Sequence, residues 1–167
     1  RGYLQNKILN SRFSRTITIS KALKSLLEIH HKRPIKNCIV LHDAAPKGSI
    51  QIKDAAKKKK LLKELIDINT INYSFICGYF GHLYPGRGLE IIDTLAKNHP
   101  AYLFLIFGGN EKNIIEMEKQ NNNKNLIYMG HYRPYKARKL MCCMDALLMP
   151  YQEKVSTGKV NSDTSKW

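Results

Sequence analysis

The segment 81–88 contains three glycines and one arginine, residue types that bind phosphate groups, together with a proline that favours a turn. It lies between an apolar run and an amphipathic stripe, so it links a predicted strand to a predicted helix. Glycine lets the backbone approach a ligand closely, and the N-terminus of the following helix favours an anion. Arg87 is placed to hold a diphosphate through two parallel hydrogen bonds. The spacing alone leaves a second interpretation open, in which Gly86 and Gly88 form a turn and Arg87 points into water.

Three further turns follow apolar runs that have the length of buried strands, at 108–111, at 130–134 and from 150 onward. In an open parallel sheet such turns lie beyond the carboxyl ends of the strands, where ligands bind. The dinucleotide fingerprint Gly-x-Gly-x-x-Gly is not met, because Ile91 stands where its third glycine would be. The pattern therefore indicates a phosphate-binding edge and argues against an ordinary NAD enzyme.

The elements that must position these turns alternate between strand and helix. Apolar and β-branched runs predict strands at 16–19, 38–41, 74–80, 102–107, 126–129 and 146–149. Helical spacing predicts helices after an N-cap at Ser20 and over 61–66, 89–96, 114–117 and 136–143. This alternation predicts an α/β fold, with a Rossmann-like parallel sheet, flanking helices and right-handed crossovers.

The chain carries a formal net charge of +15, from 28 Lys and Arg against 13 Asp and Glu. This charge predicts attraction to polyanions, namely nucleic acid, an anionic membrane face or a phosphate-bearing ligand. AT-rich coding also favours Lys, Asn and Ile, in which this chain is rich, and that weakens a functional interpretation. The four-lysine run at 57–60 resembles a basic linker that runs into a short helix, and a solvated face is its simplest role.

The four cysteines, Cys38, Cys77, Cys142 and Cys143, form no Cys-x-x-Cys pair. Neighbouring residues on a helix point in different directions, so Cys142 and Cys143 make a poor chelate. We therefore expect reduced core cysteines and no metal site. No apolar run approaches the roughly 18 to 20 residues that a membrane-spanning helix needs.

Four segments resemble, in the right order, motifs of the family-four glycosyltransferases, which have a GT-B fold of two Rossmann-like domains. Residues 80–90 resemble a motif in which a hydrophobic residue is followed by Gly-Arg-Leu, three variable residues and Lys-Gly. Residues 103–109 resemble the family's Leu-x-Ile-x-Gly-x-Gly turn, and residues 126–132 its Val-x-Phe-x-Gly-x-Val strand. Residues 144–150 resemble its strand that begins with Ala-Asp and ends at Pro.

The resemblance implies three regions in the chain. Residues 17–27 resemble the end of the family's N-terminal domain, and 38–44 the strand that crosses into its second domain. The implied division is 1–37 for the end of the acceptor domain and 38–72 for the interdomain crossover with a basic linker and helix. Residues 73–167 are then an incomplete nucleotide-sugar-binding domain.

The activity that the resemblance implies is that of a retaining hexosyltransferase. Such an enzyme moves a sugar from a nucleoside diphosphate donor to a glycan or lipid-linked acceptor in polysaccharide or glycoconjugate biosynthesis. No cofactor and no bound metal are implied. The implied location is the cytoplasm, and a peripheral contact with an anionic inner membrane face is a further expectation.

The resemblance also assigns site residues. Arg87 takes the position of the family's Lys with its charge kept, whereas His82 stands where the family has Arg, so a permanent charge is lost there. The residues implied for the donor diphosphate are Gly81, His82 and Arg87. The residues implied for the nucleotide are Gly108, Gly109, His131 and Tyr132.

One departure from the family concerns two glutamates, separated by seven residues, that bind the donor sugar and ribose. Glu153 follows the last predicted strand but has no partner at that spacing. We therefore expect the pair to lie beyond Trp167, the catalytic residues to be unassigned here, and this stretch alone to be inactive.

A different function class stays open from the residues alone, a basic nucleic-acid-binding α/β module without catalytic activity. The net charge and the run at 57–60 favour it. The aromatic residues are not interleaved with lysines in a stacking pattern, and this makes nucleic acid the weaker expectation.

Overall fold

The computed structural model describes residues 2–9, 11, 13–32, 34–35, 37–43 and 52–152. The chain forms two compact units, Arg1–Ser49 and Ile50–Trp167. Glu153, Trp167 and the residues between them, where the glutamate pattern was considered, lie outside the described residues.

The first unit contains a two-stranded parallel sheet and two helices. Its elements are α1 (Gly2–Leu9), β1 (Thr16–Thr18), α2 (Lys21–His31) and β2 (Cys38–Val40). The predicted cap of α2 is confirmed, because the Ser20 hydroxyl accepts a hydrogen bond of 3.0 Å from the Leu23 N–H. The helix ends where Lys32 adopts a left-handed conformation with φ 54°, two residues before Pro34.

The second unit contains a four-stranded sheet in which every pairing is parallel, with the order β5-β4-β3-β6. Its strands are β3 (Phe75–Phe80), β4 (Tyr102–Phe107), β5 (Leu126–Gly130) and β6 (Ala146–Leu148). Its helices are α3 (Ala55–Ile66), α4 (Leu89–Asn98), α5 (Glu111–Gln120) and α6 (Pro134–Cys143). The predicted alternation of strand and helix along a parallel sheet is confirmed.

The helices cover both faces of this sheet, and each face has its own apolar core. On one face α4 and α5 pack against the sheet through residues that include Ile92, Ala96 and Ile114. On the other face α3 and α6 pack through Leu62, Leu140 and Cys143. Both faces of the sheet are therefore covered by helices. In such a sheet ligands bind at the loops beyond the carboxyl ends of the strands.

The lysine run does not lie in a linker, as the sequence suggested, but inside α3. Asp54 caps this helix by accepting hydrogen bonds from the N–H groups of Ala56 and Lys57. Lys59 donates to the Tyr73 carbonyl at 3.0 Å, and Lys58 donates to Asp145 at 3.0 Å. The prediction of a linker was wrong because a lysine packs its long apolar stem along a helix while its charged end stays at the surface.

The region 38–72 that was assigned to a crossover contributes to both units. Strand β2 pairs with β1 in the first unit, and α3 packs on the sheet of the second. The assignment of the two units to an acceptor domain and a donor domain stays a prediction.

Candidate functional site

The carboxyl ends of β3, β4 and β5 are joined by backbone hydrogen bonds beyond the strands. The Gly81 N–H donates to the Phe107 carbonyl at 3.0 Å, and the Gly108 N–H donates to the Gly130 carbonyl at 2.8 Å. Three of the loops singled out from the sequence are thus held side by side at one edge of the sheet. This places Gly81 and Gly108, two of the predicted site residues, next to each other.

Glycine is required at Gly108 because the chain approaches another backbone segment there. Gly108 has φ 132°, and a Cβ atom on it would lie 1.9 Å from the Gly81 carbonyl oxygen. Gly109 has φ 75°, and a Cβ on it would lie 2.4 Å from Leu83 Cδ1. Both glycines therefore allow close packing between loops, so packing already accounts for them without a ligand.

Arg87 lies in the first loop, immediately before α4. Its guanidinium carbon is 4.7 Å from the centroid of the Tyr151 ring, so the cation lies over an aromatic face. Its Nε atom is buried and has no hydrogen-bond partner among the described residues. A buried donor without a partner is rare in proteins, and an oxygen atom of a ligand or of water is the group that accepts a hydrogen bond from it.

The segment 150–152, which follows β6, packs against the loop that contains Arg87. The Gln152 N–H donates to the Gly86 carbonyl at 3.0 Å, and the Gln152 side chain donates to Glu90. Gly88, the N-cap of α4, has φ 78°, and a Cβ on it would lie 1.9 Å from the Pro150 carbonyl oxygen. The sequence marked the positions from 150 onward as ligand positions but assigned no role to Tyr151 or Gln152.

Tyr79, on β3, stabilises the same loop through a hydrogen bond. Its hydroxyl donates to the His82 carbonyl at 2.7 Å, and its side chain is buried. Burial raises the pKa of Tyr79 from its ordinary value of 10.0 to about 12, with Tyr151 adding to the rise and Arg87 opposing it. The hydroxyl therefore keeps its proton at neutral pH and can act as a permanent donor to the loop.

His82 lies in the loop with its imidazole exposed to solvent. Its ring stacks on the Tyr84 ring, with 5.1 Å between the centroids and 12° between the planes. The imidazole can donate a hydrogen bond to a ligand, but nothing in its contacts fixes it toward Arg87. Its assignment to the diphosphate stays a prediction.

His131 and Tyr132 follow β5 at the same edge of the sheet. His131 is exposed, while Tyr132 is half-buried and meets the Phe107 ring edge-on with 5.6 Å between centroids. Lys136 Nζ lies 4.7 Å from the centroid of the Tyr132 ring. Tyr132 thus packs on the side of the sheet that α3 and α6 cover, whereas Arg87 contacts Tyr151. The assignment of His131 and Tyr132 to the nucleotide stays a prediction.

The electrostatics of this edge suit an anion. Arg87 directly precedes Gly88, the N-cap of α4, which supplies no side-chain cap, so a cation and a helix N-terminus belong to the same loop. A cavity of about 300 Å³ lies elsewhere, between α4 and α5, and its walls include the carboxylates of Glu90 and Asp93. Two carboxylates oppose an anionic ligand, so this cavity suits a diphosphate less well than the Arg87 loop does, and the assignment of the loop to the diphosphate stays a prediction.

The described part of the chain has neither a metal site nor a membrane-spanning helix. There, no group of three or more His, Cys, Asp or Glu side chains is arranged to hold a metal ion. In the same part no helix has the length and apolar content to cross a membrane. The four cysteines are free thiols, with Cys77 and Cys143 buried.

No family model matches the sequence, and no curated protein matches it. Solved structures do match. The crystal structure of Anabaena HepE in complex with UDP and glucose is similar over 80% of this chain and 37% of its own, with 20% identity and a TM-score of 0.61. WaaG, a glycosyltransferase involved in lipopolysaccharide biosynthesis, is similar over 92% and 42%, with 12% identity and a TM-score of 0.67.

A third similar structure is the catalytic domain of starch synthase IV from Arabidopsis thaliana, bound to ADP and acarbose. The likeness covers 82% of this chain and 34% of that one, with 14% identity and a TM-score of 0.50. The chain thus spans between 34% and 42% of the length of these three proteins. At such identities the likeness establishes the fold. The predicted Rossmann-like α/β fold, part of a GT-B fold, is confirmed.

Proposed function

We propose that this chain is part of a glycosyltransferase that uses a nucleoside diphosphate sugar as donor, and that the Arg87 loop binds the diphosphate. Three proteins with a similar fold support the reaction class: HepE with UDP-glucose bound, WaaG, and starch synthase IV with ADP bound. By the motif resemblance, the transfer would retain the anomeric configuration, need no metal and deliver a hexosyl group to a glycan or lipid-linked acceptor.

The observation that carries the proposal is the buried Nε atom of Arg87, which has no hydrogen-bond partner among the described residues. Leaving such a donor unsatisfied costs about 1–3 kcal/mol, more when the group is charged. A phosphate oxygen would accept this hydrogen bond and would also neutralise the guanidinium. Arg87 Nε therefore offers a hydrogen-bond donor to an anionic acceptor.

The chemistry follows from where charge develops during transfer. When the bond between the sugar and the diphosphate breaks, the leaving diphosphate gains negative charge. Donors already fixed in place stabilise that charge without having to reorganise. Here Arg87 would provide a cation and the start of α4 would provide backbone N–H groups, while Tyr79 holds the loop through the His82 carbonyl.

Isothermal titration of the full chain with UDP, ADP and GDP tests this function. We expect at least one of the three to bind, and Arg87→Ala to weaken its binding by about 1.5–3 kcal/mol, as for a hydrogen bond to a charged group. Arg138→Ala is the matched control, because Arg138 is an exposed arginine on α6. The proposal is wrong if none of the nucleotides binds, or if the two arginine variants bind equally.

A further inference from the structure

The two helical layers of the second unit differ strongly in charge. Helices α3 and α6 together carry eight Lys and Arg residues and one Glu, whereas α4 and α5 carry three Lys residues and five Asp and Glu. A general preference for lysine codons would enrich both layers alike. It therefore does not explain why the cationic residues are concentrated on one side of the sheet.

Helices α3 and α6 lie side by side on the same face of the sheet, where Leu62 and Leu140 are fully buried. Their outer sides therefore form one continuous surface, which we name the α3–α6 face. Its exposed cationic residues are Lys57, Lys60, Lys63, Arg138 and Lys139. Among the exposed acids of the two helices and their caps are Glu64 and, at the ends of α3, Asp54 and Asp67.

Some lysines of these helices already have a structural role. Lys58 binds Asp145 and the Met144 carbonyl, and Lys59 binds the Tyr73 carbonyl. The run 57–60 thus divides into two inner lysines that fasten α3 to the domain and two outer lysines, Lys57 and Lys60, that are exposed. The outer set needs a different explanation.

We propose that the α3–α6 face docks on an anionic phospholipid surface. Four of its five exposed basic residues are lysines, which act as point charges on flexible stems and suit a diffuse layer of headgroups. Tyr135, at the start of α6, is 59% exposed, and an amphipathic ring at this position suits the boundary between water and lipid. The proposal does not involve Arg87 and is independent of nucleotide binding.

A nucleic acid is the competing polyanion, and the same face fits it less well. Sequence-independent binding of single strands uses several aromatic rings that stack on successive bases. In the described helices α3 and α6, Tyr135 is the single exposed aromatic residue. Arginine, which pairs with phosphate through two hydrogen bonds, contributes one residue within the two helices, Arg138, and one at the N-cap of α6, Arg133.

Co-sedimentation of the full chain with vesicles tests the docking. The vesicles contain phosphatidylcholine alone or with about 30 mol% phosphatidylglycerol, an anionic lipid that gives the surface a negative potential. One variant replaces Lys57, Lys60 and Lys139 by Gln. The matched control replaces Lys97, Lys112 and Lys119, which are equally exposed but lie on α4 and α5.

We expect binding to the anionic vesicles alone. The first variant should lose roughly 100-fold in partition coefficient, because each lysine near the surface contributes about fivefold. The control should change by less than about threefold, since its charges would face away from the lipid. A fluorescein-labelled RNA of mixed sequence is titrated in parallel at the same ionic strength.

Three results would overturn the proposal. The first is that wild-type chain does not bind anionic vesicles at physiological ionic strength. The second is that both triple variants lose the same amount of binding, which would mean that net charge acts without a defined face. The third is that the face binds the RNA more tightly than the vesicles and that the first variant alone loses it.

Discussion

The guanidinium of Arg87 lies over the ring of Tyr151, with 4.7 Å between the guanidinium carbon and the ring centroid. The contact joins the loop after β3 to the segment after β6. An attraction of this kind contributes about 0.5–2 kcal/mol, depending on how far water is excluded. It also limits the orientations that the guanidinium adopts before a ligand arrives, so Tyr151 is a positioning residue for Arg87.

Replacing Tyr151 separates the role of the ring from that of the hydroxyl. We expect Tyr151→Leu to weaken nucleotide binding about two- to fivefold, because the ring that holds the guanidinium is lost. Tyr151→Phe keeps the ring and should bind within about twofold of wild type. Titration calorimetry measures both, and the Arg87 Nε–H resonance should shift in the Leu variant alone. Equal weakening in the two variants would contradict the positioning role.

Gly88 and Gly130 allow a comparison of two glycines with almost the same φ, 78° and 76°. A Cβ at Gly88 would lie 1.9 Å from the Pro150 carbonyl oxygen, whereas at Gly130 the nearest atom is Ile114 Cδ1, at 3.2 Å. A positive φ disfavours a side chain at both positions.

We expect Gly88→Ala to lower the free energy of unfolding by at least about 2 kcal/mol more than Gly130→Ala, because a backbone carbonyl must move. Urea denaturation measures the difference, with the m-value as a check that both variants unfold in the same way. If the two variants were equally stable, the close approach of Pro150 to α4 would not exist in solution.

Asp145 makes two contacts with one carboxylate. It accepts a hydrogen bond from Lys58 at 3.0 Å and another from the Ile76 N–H at 2.9 Å. The ion pair is partly exposed, with 18% and 27% of the two side chains accessible, so solvent weakens it. Ile76 itself is buried, so the backbone donor has no access to water once Asp145 is removed.

Asp145→Ala should therefore cost about 2–3 kcal/mol of unfolding free energy, most of it from the unsatisfied N–H of Ile76. Lys58→Met should cost about 1 kcal/mol or less, and the control Lys60→Met about 0.5 kcal/mol or less. Thermal or urea unfolding of the two single variants and the double variant gives the coupling energy. A larger loss for Lys58→Met than for Asp145→Ala would show that the ion pair dominates.

Cys142 and Cys143 are adjacent on α6 but differ in burial, since Cys142 is half-buried and Cys143 is fully buried. Burial raises the pKa of the Cys143 thiol from 9.0 to about 11, with a smaller rise from Cys142 and an opposing effect of Lys58. The thiolate is the reactive form, so a raised pKa slows alkylation at a given pH.

We expect iodoacetamide at pH 8 to modify Cys142 well before Cys143. The rate at Cys143 should keep rising with pH up to about pH 11, since its thiolate fraction rises through that range. Peptide mass spectrometry over a time course measures both sites in one sample. In urea the two rates should become similar, and a similar rate in the folded protein would contradict the packing of α6.

The strands were the most predictable part of the fold. Strand β4 has the predicted bounds, 102–107, and the other strands differ from their predicted ends by one residue. The reason is that strand pairing buries a short uninterrupted apolar run, and five of the six residues of β4 are buried. Such an apolar run can be recognised from the sequence alone, without knowing which strands pair.

The site was predictable only in part. Glycines marked the loops at the carboxyl edge, because positive φ restricts residue type locally. The contact of Arg87 with Tyr151 and the double role of Asp145 were not predicted, since both depend on β6 pairing with β3, which is distant along the chain. The charge difference between the layers was also hidden, because it appears only when each helix is assigned to a face.

The unequal charge of the two helical layers gives the second unit an electric dipole directed across the sheet. Approaching an anionic plane, such a dipole experiences a torque that turns α3 and α6 toward the plane within about a Debye length, ~8 Å at physiological salt. The sheet would then lie flat against the surface, and its carboxyl edge, with Arg87, would open sideways into water. A water-borne ligand would reach the loop without crossing the headgroups.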